Sequence, residues 1–377
     1  MMEYDYMEIG DIAEVTKLAG FEFTKYIEYI GDGEVIALRA LNLRQGELDL
    51  SDVKRIDRRV SDSLLRSKVY RDDILLTYTG NGYGDCAIIE ENDKYHLAPN
   101  ICKITPNTTK IDPYFLYSYI RTNEFYQTMS NHMTGSSQPT IPMKTIRLLK
   151  VPVPPMEEQK KIAYFMKNIN TAIRNNKAIN ENLLEQALAI YKAWFCDYAL
   201  SEGTLPEDWH ITTIDEISSL ISRGIAPKYD DNSEQIVLNQ KCIRDHTIDI
   251  SLARRHLPKK INEKWIKKGD LLINSTGTGT LGRVAQVWFD ANNMTVDSHV
   301  TIVRPKDSIL QNYIGFWGLS HESEIEAQHT GSTGQTELPR DRVKSMKLPL
   351  PDEDTLRKFN GLIMPMTSAV VSNQERL

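Results

Sequence analysis

One unusual loop occurs twice in this chain. "TGSSQPTIP" runs from Thr134 to Pro142, and "TGSTGQTELP" runs from Thr330 to Pro339. A long-range repeat constrains a fold more than local propensity does, because each copy must be a structural unit of its own. Gln138 lies over Gln335. The same offset carries "VPVPP" (Val151 to Pro155) onto "LPLPD" (Leu348 to Asp352), "DDILLTYTG" (Asp72 to Gly80) onto "GDLLINSTG" (Gly269 to Gly277), and Asn176 onto Asn373. A slightly longer offset lays "LRALNLRQGELDLS" (Leu38 to Ser51) over "LNQKCIRDHTIDIS" (Leu238 to Ser251). Blocks that recur in one order indicate a duplication, and 377 residues are enough for each copy to bury a core.

Each copy has two parts. The first is rich in short runs of Val, Ile, Thr and aromatics, such as "EVIALRAL", "ILLTYTG", "DCAIIE", "QIVLNQ", "DLLINST" and "RVAQVWF". Gly, Asn and Asp punctuate these runs, the pattern of short strands with polar turns. A short helix is expected in "PYFLYSYIRTNEFYQTMSN" and in its counterpart "QNYIGFWGLSHESEIEAQ". The second part is one long helix. It opens after "VPVPP", with Pro155 in the first turn and Glu157 and Glu158 complementing the helix dipole. Apolar residues at Ile162, Phe165, Ile169 and Leu183, with Asn176 among them, step by threes and fours. A parallel stripe runs through Met166, Ile173, Leu184, Ala187 and Tyr191. From Met156 to Tyr198, at 1.5 Å per residue, such a helix is roughly 65 Å long. It needs a partner along that length. The expected one is the C-terminal segment, with Phe359, Leu362, Met366 and Val370 completing the seam. Pro365 is expected to kink that second helix or delay its start. The repeat calls for roughly one further span of helix beyond Leu377, so the distal helix reads as truncated. The expected organisation is therefore 1–154, 155–200, 201–350 and 351–377: a first β-rich domain, a spacer helix, a second β-rich domain and a distal helix.

Composition excludes several classes. With 41% hydrophobic and 25% charged residues the chain is neither disordered nor collagen-like. No apolar run approaches the length of a membrane span. The N-terminal "MMEYDYMEIGDI" is acidic and lacks the blocks of a secretory signal, so the default expectation is a cytoplasmic address with no membrane partner. Cys86, Cys102, Cys196 and Cys242 form no CxxC pair, which supports neither a disulfide framework nor a zinc site. No metal site and no catalytic residue is expected. "GTGTLG" (Gly277 to Gly282) fits a dinucleotide fingerprint in letters only. A true one opens a helix, whereas here "RVAQVWF" reads as another strand, so a hairpin turn is expected. "DPYF" (Asp112 to Phe115) reads as a capped helix start.

Charge is distributed unevenly. The net charge is −6, yet Asp52 to Arg71 carries seven cations against three carboxylates, and Ser251 to Gly269 carries seven against one. Two cationic strips in register on an acidic protein point to phosphate contact. Lys54, Arg55, Arg58 and Arg59 are the candidates in the first strip; Arg254, Arg255, Lys259 and Lys260 are those in the second. Just upstream lie Arg39, Asn42 and Arg44, and Asn239, Gln240, Lys241 and Arg244. These residue types match base edges in a major groove. The glycine turns add Thr79 and Asn81, and Thr276 and Thr278, as candidate contacts.

This pattern resembles the DNA-specificity subunit of type I restriction-modification systems. The segment "LKVPVPPMEEQKKIAYFMKNINTAIRNNKAINENLLEQALAIYKAWFCDY" is closely similar to that family's central conserved region, and "NLRQGELDLSDV" and "GDLLINSTGTGTLGRVA" look like its recognition-domain strands. The resemblance spans essentially the whole chain. It departs in the distal helix, where "PDEDTLRKF" stands for "PMEEQKKIA". It implies an α+β fold with two β-rich target-recognition domains, separated by long helices that form an antiparallel coiled coil. It implies a non-catalytic subunit that binds double-stranded DNA, reading a split target with one half per domain. The implied partners are two modification (methyltransferase) subunits and the restriction subunits. The chain itself needs no cofactor; SAM, ATP and Mg belong to those partners. Gln138 and Gln335 are expected to tie each domain to its helix, the alternative being that they touch DNA. The alternative reading is a tandem-repeat module that binds DNA or protein without restriction partners.

Overall fold

The computed structural model describes residues 4–44, 46–80, 82–135, 138–258, 264–331 and 336–375. It divides into two compact units, Met1–Ala172 and Ile173–Leu377. Each holds a β-rich body and part of the helical segments.

The first unit is built on a four-stranded antiparallel sheet in the order Ala13–Lys17, Ile101–Pro106, Ile74–Thr77, Cys86–Ile88. A second sheet runs Lys54–Ile56, Val35–Leu38, Tyr95–Leu97, Lys68–Val69, with its two central strands parallel. The strand Ile74–Thr77 is buried on both faces. Ile74 and Leu76 enter one apolar cluster with Ile104 and Phe115, while Leu75 enters another with Leu38 and Leu97. Strand side chains alternate sides, so a strand between two cores must be apolar at every position, which is why "ILLT" reads as an unbroken run.

The second unit repeats this plan. Its four-stranded sheet runs Ser218–Arg223, Val300–Pro305, Leu271–Asn274, Val284–Gln286. Ile236–Leu238 again pairs in parallel, here with Met294–Val296, and antiparallel with Arg254–Arg255. Leu271 and Ile273 face one cluster and Leu272 the other. A buried carboxylate sits at the matching place in each unit. In the first, Asp73 meets the Lys103 ammonium at 3.5 Å and accepts from the Thr105 hydroxyl and from the Tyr70 N–H. In the second, Arg304 donates to both oxygens of Asp270, at 2.8 and 2.7 Å. Burial pushes both carboxyls above the usual range, and these donors pull them back.

Two helical expectations change. The segment after Asp112 forms two helices, Pro113–Ile120 and Asn123–Ser130, because the Thr122 hydroxyl caps the second by accepting from Phe125 N. Asp112 caps the first as expected, accepting from Tyr114 N and Phe115 N. The distal helix runs Glu353–Glu375 with Pro365 inside it, so its start is not delayed. The Thr367 hydroxyl donates to the Ile363 and Met364 carbonyls just past the proline.

The long helix spans Met156–Phe195, and its buried face is not the one expected. Within the first unit, Ala163 packs onto the domain core and Asn170 donates to the Tyr114 hydroxyl. Ile162, Phe165 and Ile169 face solvent, with Phe165 64% exposed. Within the second unit the helix runs antiparallel to Glu353–Glu375. Asn180 pairs with Asn373 at 2.8 Å, and Tyr191, Trp194 and Phe195 surround the Phe359 ring, Phe195 at 4.9 Å between centroids. Leu183, Met366 and Val370 pack there as expected, while Leu362 is exposed and Ile363 takes its place. The buried stripe is thus the one through Leu184, Ala187 and Tyr191, since Tyr191 and Phe195 have the most apolar area to hide. Asn373 pairs one turn beyond Asn176, at Asn180. Among the described residues no helix is long and apolar enough to cross a membrane.

Candidate nucleic-acid interface

The upstream candidates and the start of each cationic strip converge on one construction, made twice. In the first unit a small hairpin pairs Leu43–Arg44 with Glu47–Leu48, and the chain then turns through Asp49, Leu50 and Ser51 before the strand Lys54–Ile56. In the second, Ile243–Arg244 pairs with Thr247–Ile248, and Asp249, Ile250 and Ser251 lead to Arg254–Arg255. The Asp-to-Ser hydrogen bonds of the turn are the same in both, although Ile250–Leu252 goes on into a 3-10 turn and Leu50–Asp52 does not. Asp49 Oδ1 accepts from the Ser51 N–H (3.0 Å) and hydroxyl (2.5 Å); Asp249 Oδ1 accepts from the Ser251 N–H (2.9 Å) and hydroxyl (2.6 Å).

What holds the turn differs. Asn42 is fully buried. It accepts from Arg39 N at 3.0 Å and donates to the carbonyls of Asp49 and Asp52 at 2.8 and 2.9 Å. The Arg39 guanidinium adds a 2.7 Å bond to the Asp52 carbonyl and a 3.2 Å ion pair with its carboxylate. These two candidates are therefore locks beneath the turn and do not reach outward. The place of Asn42 is taken by buried Cys242, whose sulfur accepts from Asn239 N at 3.5 Å, and the Asn239 side chain donates to the Leu252 carbonyl. The outward cations are Arg44, loosely paired with Asp49 at 3.7 Å, and Lys54 on one side, and Lys241, Arg244 and Arg254 on the other. Arg254 lies over the Tyr229 ring at 3.5 Å. Gln240 is half-buried, with its carbonyl accepting from Asn274 Nδ2.

The rest of each strip is only partly available. Arg55 donates to the Gly33 carbonyl, Arg58 to the Asp93 carbonyl and Arg255 to the Ser233 carbonyl. Arg59 is exposed. Lys68 is buried between Asp62 and Asp93, at 2.8 Å from each, and those carboxylates hold its ammonium well above the usual range. Lys259 and Lys260 lie outside the described residues, as do Asn81 and Gln335.

The loop that recurs in the sequence belongs to a second construction. "GTGTLG" joins the antiparallel strands Leu271–Asn274 and Val284–Gln286, so it is a hairpin turn, with Gly277 and Gly279 at positive φ. The recurring loop folds back on itself and pairs with this turn: Thr134 with Thr140 and Thr140 with Thr79, and likewise Thr330 with Glu337 and Glu337 with Thr276. Ile141 N donates to the Tyr78 carbonyl, and Leu338 N to the Ser275 carbonyl, at equivalent places. Thr278 is exposed at the turn, and the Thr276 hydroxyl meets His299 Nδ1 at 2.7 Å. Glu337 pairs with Arg223 at 2.8 Å. Gln138 is exposed on this ladder, and its side chain makes no hydrogen bond to the long helix.

The residue that does join domain to helix in the first unit is Gln159, which the sequence did not single out. It is buried, accepts from Asp112 N at 2.8 Å and donates to the carbonyls of Pro154 and Lys110. A polar residue in the first turn of a helix gives no sign by itself of pointing inward. In the second unit Asp352 does the comparable work, accepting from Thr355 and from the Trp209 indole N–H. Among the described residues no group of His, Cys, Asp or Glu is placed to hold a metal ion.

Comparison with known proteins agrees with this architecture. The family described as type I restriction modification DNA specificity domain matches residues 1–185 and 206–358. The type I restriction enzyme MjaIX specificity subunit of Methanocaldococcus jannaschii is 23% identical over 100% of this chain and 89% of its own length. The HindI specificity subunit of Haemophilus influenzae is 24% identical over 58% of this chain and 48% of its own. The crystal structure of the type I restriction-modification S subunit from M. genitalium superposes with a TM-score of 0.59 at 12% identity, covering 99% of this chain and 92% of that one.

Proposed function

This chain belongs to the type I restriction-modification DNA specificity family, and from that premise we propose that it reads double-stranded DNA as two half-sites, one with each unit. Subunits of this family are non-catalytic, and the chemistry falls to partners. The observation that carries the reading is the doubled turn. One pair of Asp-to-Ser hydrogen bonds recurs in both units, beside exposed cations whose identities differ: Arg44 and Lys54 in one, Lys241, Arg244 and Arg254 in the other. A shared turn motif presents both units to a regular duplex, and unequal side chains let them select different bases. A duplicated reader suits a target of two separated halves.

The uninterrupted helix Met156–Phe195 carries the chain from one unit into the next and acts as the spacer between half-sites. The partners are two modification subunits that supply SAM-dependent methylation and restriction subunits that use ATP and Mg. The test is affinity capture of the tagged chain from its own cells, followed by methylome sequencing. Co-purifying methyltransferase subunits and a methylated split sequence that disappears on deleting this chain are expected. A methylome unchanged by the deletion would exclude the reading in favour of a module without such partners.

A further inference from the structure

We propose that Leu50 and Ile250, at the crest of the doubled turn, are apolar DNA contacts that both readers use in the same way. The inference rests on the DNA-reading function proposed above and names a contact within it.

A single exposed aliphatic residue needs no explanation. Here there are two, at matching positions, 41% and 38% exposed. Each is the middle residue of an Asp–aliphatic–Ser turn closed by the same pair of hydrogen bonds. The surroundings have diverged: Leu41 stands where the other unit has Lys241, Asn42 where it has Cys242, and Asp52 where it has Leu252. The chain tethers the turn from below in both units, through Asp49 N to the Asn42 carbonyl and Asp249 N to the Cys242 carbonyl, each at 2.8 Å. Different side chains thus hold the same set of turn hydrogen bonds, and in both units an aliphatic group is lifted into solvent.

Charge identifies what meets it. Arg44 and Lys54 flank Leu50, and Arg244 and Arg254 flank Ile250, all exposed except for the loose Arg44–Asp49 pair and the Arg254–Tyr229 contact. Exposed cations on either side of the turn suit the phosphates of a groove, and the carboxylates of the first turn, Asp49 and Asp52, are engaged by Arg44 and Arg39. An apolar group between those cations then faces base edges, where the thymine methyl or an unstacked step gives it a partner. Such a contact adds affinity without neutralising phosphate.

That last property provides the test. Leu50→Ala and Ile250→Ala are made in the full chain, together with any modification subunits that co-purify. Affinity is measured against salt on a labelled duplex carrying the methylome-derived target. Each variant is expected to bind roughly five- to tenfold more weakly, from the loss of buried methyl and methylene groups. The slope of log K against log salt should stay at the wild-type value, because that slope counts phosphates. Unchanged affinity would mean that the crest is only solvated. Weaker binding with a shallower slope would mean that the turn had shifted its cations, and would overturn the apolar contact. Intact DNA binding with loss of the co-purifying subunits would reassign the crest to a protein partner. If the wild-type assembly binds no DNA at any salt concentration, the functional reading itself fails, a result separate from all of these.

Discussion

In the first unit the Asp–aliphatic–Ser turn hangs from Asn42, a buried amide with three hydrogen bonds, whereas in the second it hangs from Asn239 and the sulfur of Cys242. The buried carboxylates differ in the same manner. Asp73 is served by an ammonium at 3.5 Å, a hydroxyl and an amide, while Asp270 is clamped by one guanidinium. A turn motif and a buried-carboxylate site can therefore persist while the chemistry that fixes them is exchanged. What an exchange cannot alter is the need of each buried polar group for a partner.

The largest difference between the units should appear on breaking those carboxylate sites. Arg304→Met leaves the buried Asp270 carboxyl with only the Lys267 N–H as a donor, and is expected to cost about 3–5 kcal/mol. Lys103→Met leaves Asp73 its hydroxyl and amide, and should cost about 1–3 kcal/mol. The two are separable because all five tryptophans, Trp194, Trp209, Trp265, Trp288 and Trp317, lie in the second unit. Urea unfolding followed by indole fluorescence should shift for Arg304→Met and stay in place for Lys103→Met, while circular dichroism records both.

The turn locks come next. Asn42→Ala takes their Asn42 partner from the Asp49 carbonyl and the Arg39 N–H, leaves the Asp52 carbonyl only its Arg39 bond, and is expected to cost about 2–3 kcal/mol. Cys242→Ala removes one long sulfur contact and a little buried volume, and should cost about 1 kcal/mol. Equal losses in denaturant titrations would show that the sulfur is as strong a lock as the amide.

The smallest effect concerns pH and should be alike in the two units. His96 and His256 are both buried, and burial pushes both imidazoles below the ordinary value of 6.5. A lowered folded value means that the neutral ring is favoured in the folded state. The associated stability is present above the unfolded value and is lost as pH falls below it. The urea midpoint should fall between neutrality and mildly acidic pH, and His256→Gln should flatten that slope in the fluorescence signal while leaving the His96 contribution to circular dichroism.

Much of the fold was legible because periodicity and turn chemistry agreed. "DDILLTYTG" and "GDLLINSTG" announced strands, and the strand after "GTGTLG" marked that segment as a hairpin turn. The helix face was misjudged because two apolar stripes coexist on Met156–Phe195, and only packing decides that Tyr191 and Phe195 take precedence over Ile162 and Phe165. The recurring loop was visible as a repeat, yet its pairing with the hairpin turn rests on backbone bonds that carry no side-chain signature. Asn42 and Arg39 looked like base readers because an amide or guanidinium on a turn gives no sign whether it points outward or inward.

The central claim is that each unit reads its own half of a split target. The most direct measurement is the methylome of cells carrying Gln240→Ala with Lys241→Ala in the second unit, beside cells carrying Arg44→Ala in the first. Each lost base contact should relax discrimination by about 1–3 kcal/mol. The account predicts that the two strains relax positions in opposite halves of the recognised sequence, with the gap between halves unchanged. Relaxation in the same half, or at positions scattered through both, would contradict it.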